Sequence, residues 1–418
     1  MKPLILSASD IEGGAARAAY RLHQGLQRIN IHSQMLVQAK QSDDRTVVGS
    51  RTNSGIGKTV AGLRLVLDKL PLKFYPKCDR TGYSLQWLPD RVSAKVAQLN
   101  PDVINLHWIN LGYLHIETIA RFHKPLVWTL HDTWAFTGGC HYTQDCDRYM
   151  ASCGACPQLP STREWDLSRW VWQRKAKAWK DLNLTIVCPS SWLSECARAS
   201  SLFKDLRVNV IPNGLDIKVY KPINKGVARE LLDLPHDKQL ILFGSLGTTS
   251  DRRKGFHLLQ PALQDLSKSG WKDRLELVVF GSSKPENLPD LGFKIHYLGT
   301  LNDDLSLALS YSAADVFVAP SMQDNLPNTV MEAMACGTPS VAFKIGGMPD
   351  MIEHQKNGYL AQSYEVKDLA QGIIWVLENE ERYYKLSYRA REKIEQEFTL
   401  ETQAHRYLSL FEEISSFS

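Results

Sequence analysis

Short, uninterrupted apolar runs, each followed by a stretch of helical periodicity, recur along almost all of the 418 residues. Residues 3–9 read as a buried strand, and residues 13–30 follow as a helix with Ala19, Leu22, Leu26 and Ile29 on one face. Further strand-like runs occupy 34–37, 103–107, 126–130 and 185–189, then 240–244, 275–281, 294–298, 315–320 and 339–343. A strand that is apolar on both faces must be covered on both, and helices returning between successive strands supply that cover. The alternation therefore predicts an α/β chain of parallel, doubly wound sheets. It restarts near residues 208–220, where Pro212-Asn213-Gly214 is a strong turn signal. The expected organisation is an N-terminal Rossmann-like domain over 1–207 with a Cys-rich loop at 138–160, a second Rossmann-like domain over 208–390, and an amphipathic helix over 391–418.

At 44% hydrophobic and 22% charged residues the chain is neither disordered nor a disulfide miniprotein. Its net charge of +4 predicts no nucleic-acid partner, but the sum conceals an asymmetry: residues 1–210 carry +10 and the remainder −6. A basic half predicts something anionic facing it. The first apolar run is too short for a secretory leader, and no run approaches the ~20 residues that span a bilayer. The expected location is the cytoplasm or the cytoplasmic face of the membrane, where thiols stay reduced.

In open parallel sheets ligands bind beyond the carboxyl ends of the strands, and the unusual chemistry of this chain falls there. Gly13 and Gly14 follow the first strand; paired glycines admit a ligand close to the backbone, and a helix start favours an anion. They do not form G-x-G-x-x-G, which argues against a dinucleotide-dependent dehydrogenase. Arg252, Arg253 and Lys254 precede Gly255 after the 240–244 strand, and two forked guanidinium groups with one ammonium suit a pyrophosphate. After the 315–320 strand, Asp324 falls in a loop and Glu332 inside the helix that follows. Both can accept hydrogen bonds from neighbouring hydroxyls of a sugar nucleotide. Glu332 sits among Val330, Met331, Ala333, Met334 and Ala335, so it needs a polar partner, and ligand hydroxyls would serve.

These segments resemble family-4 glycosyltransferases, retaining enzymes of the GT-B fold. The run from Ser321 to Pro339 resembles the family's E-x7-E region, residues 210–216 its interdomain segment, residues 315–321 its ADVFVxPS strand, and Gly13 to Arg17 its N-terminal glycine loop. The resemblance implies two Rossmann-like domains facing a central cleft, with the last helix crossing back to the first. It implies a nucleotide-diphosphate sugar on the second domain and the acceptor on the first. Position by position, it implies that Glu332 holds the ribose hydroxyls and that Lys254 binds the pyrophosphate. Asp324, one methylene shorter than the family's usual Glu, would contact the transferred sugar. Ser245 stands where the family usually has a companion Arg, a role that Arg253, with Arg252 beside it, is expected to take over. The amides of residues 325–328, those of Asn325, Leu326 and Asn328 among them, are expected to face the sugar and phosphates, and Leu301 to border the base. His131, ending the 126–130 strand, matches the histidine that faces the reaction centre. No catalytic Mg2+ is expected, because no Asp-x-Asp stands out at a strand end; the leaving diphosphate would itself take the acceptor proton.

Cys140, Cys146, Cys153 and Cys156 end in C-x-x-C and mark a subgroup, since ordinary members of the family lack them. A structural zinc held by four thiolates is the favoured expectation, with two disulfides, an iron–sulfur cluster or free thiols as alternatives. Residues 51–80 carry seven cations against two anions, with Ile56, Val60, Leu63, Leu67 and Leu70 at helical spacing. Residues 163–180 carry six cations against two anions and four of the eleven Trp. Basic charge beside an apolar stripe and Trp suits an anionic bilayer surface; burial of these side chains in the core is the competing expectation. The expected function is transfer of a sugar from a nucleotide-diphosphate donor to a glycan or lipid-linked acceptor, in assembly of a cell-surface polysaccharide or glycolipid. A sugar-nucleotide epimerase of the same fold and a non-catalytic binding module are the alternatives.

Overall fold

A computed structural model describes residues 1–49, 55–78, 80, 82–244, 251–281, 290–301 and 303–416. The chain divides into two units, Met1–Gly214 with Leu400–Ser418, and Leu215–Thr399. The first is built on β1 (Pro3–Ser9), β2 (Gln34–Ala39), β3 (Val47–Gly49), β4 (Val103–Leu106), β5 (Leu126–Thr129), β6 (Leu184–Cys188) and β7 (Arg207–Val210). All pair in parallel in the order β3-β2-β1-β4-β5-β6-β7, with Leu4 opposite Gln34 on one side and Ile104 on the other. Its helices include α1 (Gly14–Arg28), α2 (Gly55–Asp68), α3 (Val92–Leu99), α4 (Leu167–Trp179) and α5 (Ser191–Ala199).

The second unit carries α6 (Lys225–Leu231), β8 (Gln239–Gly244), α7 (Phe256–Leu266), β9 (Leu275–Phe280), β10 (Ile295–Gly299), α8 (Asp304–Ala313) and β11 (Val316–Ala319). It continues with α9 (Asn328–Ala335), β12 (Ser340–Phe343), α10 (Met348–Met351), β13 (Gly358–Ala361), α11 (Val366–Leu377) and α12 (Glu380–Glu397). Its parallel sheet runs β10-β9-β8-β11-β12-β13. The last helix, α13 (Leu400–Ser416), belongs to the first unit. Each sheet thus reverses its winding once, between β1 and β4 and between β8 and β11, and the strand ends at such a switch point form a natural ligand crevice.

Strand alternation sorts the cores. In the first unit Leu4, Leu6, Ile104, Leu106 and Trp128 face one layer, while Ile5, Met35, Val37, Val103 and Val127 face α1 and α13. Ala19, Leu22 and Leu26 are fully buried there against Tyr407 and Phe411, as the helical spacing predicts, and Ile29 is half-buried. Gly25 lets the two helices approach: a Cβ at that position would stand 2.6 Å from the Leu400 carbonyl oxygen. In the second unit Leu240, Leu242 and Phe317 face one layer and Ile241, Phe243, Val316 and Val318 the other.

Two differences from the sequence expectation have physical causes. The strands it does not anticipate, β3, β7 and β13, are all edge strands; an edge strand is covered on fewer sides and needs no long apolar run. The expected closing helix over 391–418 is two helices. Phe398 and Thr399 break it, Phe398 buried and Thr399 bridged to Leu215, so the divisions fall at Gly214 and Thr399 where the sequence expectation has 207 and 390.

Candidate functional site

At the β8/β11 switch point of the second unit, a short turn, Arg252–Lys254, follows β8 and is capped by Asp251, whose carboxylate accepts from the Arg253 amide at 2.9 Å. Gly255 closes it at φ +76°, with the Pro320 carbonyl against its α-carbon. The Met322 amide donates to the Arg253 carbonyl at 2.8 Å, which fixes this turn beside the segment after β11. The Gly347 amide donates to the Asp324 carbonyl at 3.2 Å, and Gly346, at φ +50°, leaves room for that oxygen.

The backbone so arranged brings three expected residues together. Lys254 Nζ donates to Asp324 Oδ2 at 2.8 Å, and Arg253 Nη1 lies 3.5 Å from the same oxygen. Arg253 also pairs with Asp251 at 2.9 Å and donates to the Gln323 carbonyl at 3.1 Å. Burial pushes the Asp324 carboxyl up, but the Lys254 and Arg253 charges outweigh that and hold it below the ordinary carboxylate range. Two cations therefore converge on one carboxylate at a strand end, an arrangement in which an entering diphosphate can replace the carboxylate as their partner. Arg252 is exposed, and Leu301 is half-buried against the same core layer. Ser245 lies outside the described residues.

Glu332 is buried in α9 and accepts from the Tyr311 hydroxyl at 3.0 Å. Its polar partner is thus already a side chain of α8, so ligand hydroxyls are not required to satisfy it. Among residues 325–328, Pro327 has no N–H to offer, and α9 begins at Asn328, after Asn325 and Leu326, which are buried. Tyr311 carries no signal in the sequence, being twenty-one residues from Glu332.

In the first unit the strand ends carry histidines. Gly13, at φ +90° and ψ 164°, holds a backbone conformation suited to glycine and opens α1 at Gly14. His107 follows β4 and His131 follows β5; His107 Nδ1 lies 2.8 Å from His131 Nε2, with the rings stacked 5.1 Å apart. Thr129 donates to Asn105 Oδ1 at 3.0 Å, so the Asn105 amide group faces His107 Nε2, at 3.2 Å. His107 Nε2 then accepts, its Nδ1 carries the proton and donates to His131 Nε2, and the His131 proton resides on Nδ1. The Tyr407 hydroxyl, 2.8 Å from Thr129, starts this series. Burial lowers His131 to about 4, against a smaller opposite pull from Asp132, and lowers His107 with help from His131. Both imidazoles are neutral at physiological pH.

Asp132 is shared by three donors: Trp108 Nε1 at 2.8 Å, the Trp134 amide at 2.8 Å and His141 Nδ1 at 2.6 Å. His141 Nε2 reaches Ser84 Oγ at 2.8 Å. Of these partners only His107 could have been flagged in advance, as a second histidine ending an apolar strand. The basic segment 163–180 is divided: Lys175 and Trp179 are buried, Arg174 pairs with Glu117 at 2.6 Å and Arg169 with Glu164 at 3.0 Å, while Arg163, Lys177, Lys180, Trp165 and Trp170 are exposed. In the 51–80 segment, by contrast, Leu63, Leu67 and Leu70 are exposed, together with Val66 and Phe74. No described helix is long and apolar enough to cross a membrane.

Comparisons with known proteins agree with this organisation. Residues 12–219 match the family model Glycosyltransferase Family 4, and residues 229–393 match Glycosyl transferases group 1. A putative colanic acid biosynthesis glycosyl transferase, WcaC of Escherichia coli, is 26% identical over 290 residues, 65% of this chain and 66% of that protein, so the chain spans just under two thirds of that relative. Sucrose-phosphate synthase of Thermosynechococcus elongatus superposes with a TM-score of 0.70 at 20% identity, covering 100% of both chains. Anabaena HepE, solved with UDP-glucose, gives 0.66 at 19% identity, covering 99% of this chain and 100% of the other. The two parallel-sheet units are those of the GT-B fold. The chain thus carries a segment that matches the Glycosyltransferase Family 4 model, followed by one that matches the Glycosyl transferases group 1 model.

Proposed function

We propose that this protein is a retaining glycosyltransferase. It transfers a sugar from a nucleotide-diphosphate donor to a glycan or lipid-linked acceptor, in the making of a cell-surface polysaccharide or glycolipid. The observation that carries this reading is the convergence of Lys254 and Arg253 on Asp324 at the β8/β11 strand ends, with Glu332 fixed in the next helix. The likeness to a putative colanic acid biosynthesis glycosyl transferase supports the polysaccharide setting.

In the mechanism we infer, the diphosphate displaces Asp324 from Lys254 and Arg253. The two cations then stabilise the negative charge that grows as the bond from the sugar's anomeric carbon to the diphosphate oxygen breaks. The released Asp324 carboxylate accepts from hydroxyls of the transferred sugar, and Glu332 from those of the ribose. The acceptor oxygen bonds to the anomeric carbon on the face the diphosphate leaves, and its proton passes to a diphosphate oxygen. His131, neutral and with its proton on Nδ1, is a hydrogen-bond donor at the strand ends of the first unit, which we assign to the acceptor. The exposed apolar side chains between Leu63 and Phe74, among basic residues, support our reading that this unit meets an anionic membrane surface.

Calorimetric titration with UDP, GDP and ADP, followed by a panel of their sugar conjugates, tests the reading. One base should bind preferentially, and Glu332→Ala should abolish that binding. Indifference to all nucleotides would leave a binding module; turnover of a sugar nucleotide to an epimer without any acceptor would leave an epimerase.

A further inference from the structure

The loop between β5 and α4 contains almost no regular structure beyond two short turns, Trp134–Phe136 and Arg148–Met150. It nevertheless holds three successive residues at positive φ, Cys153 (50°), Gly154 (105°) and Ala155 (43°), two of which are not glycine. Such a run persists only where its surroundings over-determine it. The surroundings are a small cavity, about 10 Å3 in volume, whose lining includes Cys140, Cys146, Cys153 and Cys156. All four are free thiols drawn from three separate turns of the loop. A backbone amide is aimed at one of the sulfurs: Gly138 N–H donates to Cys153 Sγ at 3.1 Å. An amide pointed at sulfur is a weak bond for a thiol and a charge-assisted one for a thiolate.

A second observation concerns charge. Lys175 is fully buried, its Nζ donating to the carbonyls of Trp134 and Thr137 and lying 3.6 Å from the centre of the Trp134 ring. Among the described residues no carboxylate forms an ion pair with it, and its electrostatic neighbours are Cys153, Cys140 and Asp132, with the Arg174 cation opposing them. A buried ammonium beside neutral thiols is costly; beside anionic sulfur it is compensated.

We propose that Cys140, Cys146, Cys153 and Cys156 bind one Zn2+ as a tetrathiolate site that fastens the 138–160 loop. Among the described residues no three Cys, His, Asp or Glu side chains already stand close enough to hold an ion, so the thiols close onto the cavity as they bind. Four S–H bonds are lost, four Zn–S bonds form, and four protons pass to solvent. The resulting dianionic centre is what Lys175 offsets. The site also has a structural consequence. Cys140 bridges to Tyr83, and the adjacent His141 donates to Asp132 and lies 2.8 Å from Ser84 Oγ through Nε2, so the metal fixes the segment that orients Asp132 beside His131.

The test is independent of any transferase activity. Protein purified anaerobically from zinc-supplemented culture should carry about one equivalent of zinc by elemental analysis, the content of a single closed four-ligand site. Exchange into cobalt should produce the ultraviolet sulfur-to-cobalt charge-transfer and visible bands of a tetrahedral thiolate site, in the unmutated chain. Cys146→Ser and Cys153→Ser should lose the metal, whereas Cys196→Ser should keep it. Metal-free protein with four titratable thiols overturns the proposal, as does a pair of disulfides found by peptide mapping, or an iron–sulfur chromophore.

Discussion

Asp324 is the residue on which the second unit's chemistry turns, and its chemistry was only half legible. Its position after an apolar strand, and the basic triplet after another, can be read directly, because strand ends in a parallel sheet gather at one edge. That the two would make an ion pair could not, since residues seventy apart meet only through the β8–β11 pairing. The pair yields a prediction with opposite signs for binding and turnover. Asp324→Asn removes the charge that competes for Lys254 and Arg253 while keeping the shape. Affinity for the bare nucleotide diphosphate should rise, by up to about tenfold, or ~1.4 kcal/mol. Transfer should fall by roughly 100-fold or more, because a neutral amide cannot take the place of a carboxylate toward the sugar hydroxyls. Calorimetry with the diphosphate and an initial-rate assay check the two arms. A purely structural Asp324 would lower both together.

At the scale of elements, the interior strands were all legible, and of the four edge strands only β10 was. The same asymmetry governs the histidines. A His ending a strand can be noticed, but the series Tyr407, Thr129, Asn105, His107 and His131 joins α13, β5 and β4, and no spacing announces it. His23 of α1 is a third buried imidazole, bonded to Ser33 at 2.8 Å and Thr46 at 2.7 Å. Burial lowers it to about 4 against the opposing pull of Asp44. The consequence for stability has a definite sign. Unfolded, these histidines take protons near pH 6.5, whereas folded His23 and His131 remain neutral until about 4 and His107 is held well below its ordinary value. Between those values the unfolded chain binds more protons, so stability falls as pH falls, by about 1.4 kcal/mol per unit of displacement for each group. Urea melts between pH 8 and 4 should be flat above pH 7 and weaken steadily below about 6.5 as the imidazoles titrate. His23→Gln should shallow the slope; an unchanged slope would mean that His23 titrates freely in the folded protein.

For the whole molecule, the near-neutral net charge is the least informative number, and its division is the most. The +10 of residues 1–210 is not spread evenly in effect. Half of the cations of the 163–180 segment are taken up within the fold, with Arg174 on Glu117, Arg169 on Glu164 and Lys175 in the core, while Arg163, Lys177 and Lys180 are exposed. The segment after residue 61 exposes apolar side chains: Val66 is 62% exposed, Leu63 56% and Phe74 86%, with Lys73 and Lys77 exposed beside them. Apolar side chains of this size gain about 1.5–3 kcal/mol each on leaving water, so their exposure in a cluster calls for a partner. Arg64 contributes nothing outward, being spent on the carbonyls of Gly112 and Pro89 at 2.9 and 2.8 Å. Neighbouring lysines select the sign of the partner's charge, and a single basic residue near an anionic bilayer contributes about 1 kcal/mol. The protein should therefore float with vesicles containing phosphatidylglycerol, less so at high salt, and not with phosphatidylcholine alone. The combined variant Leu63→Ser, Val66→Ser, Phe74→Ser should lose flotation without losing thermal stability, since exposed side chains contribute little to the folded core. Equal flotation with both lipids, or undiminished flotation of the variant, would remove this surface from the acceptor's path and leave a soluble glycan as the substrate.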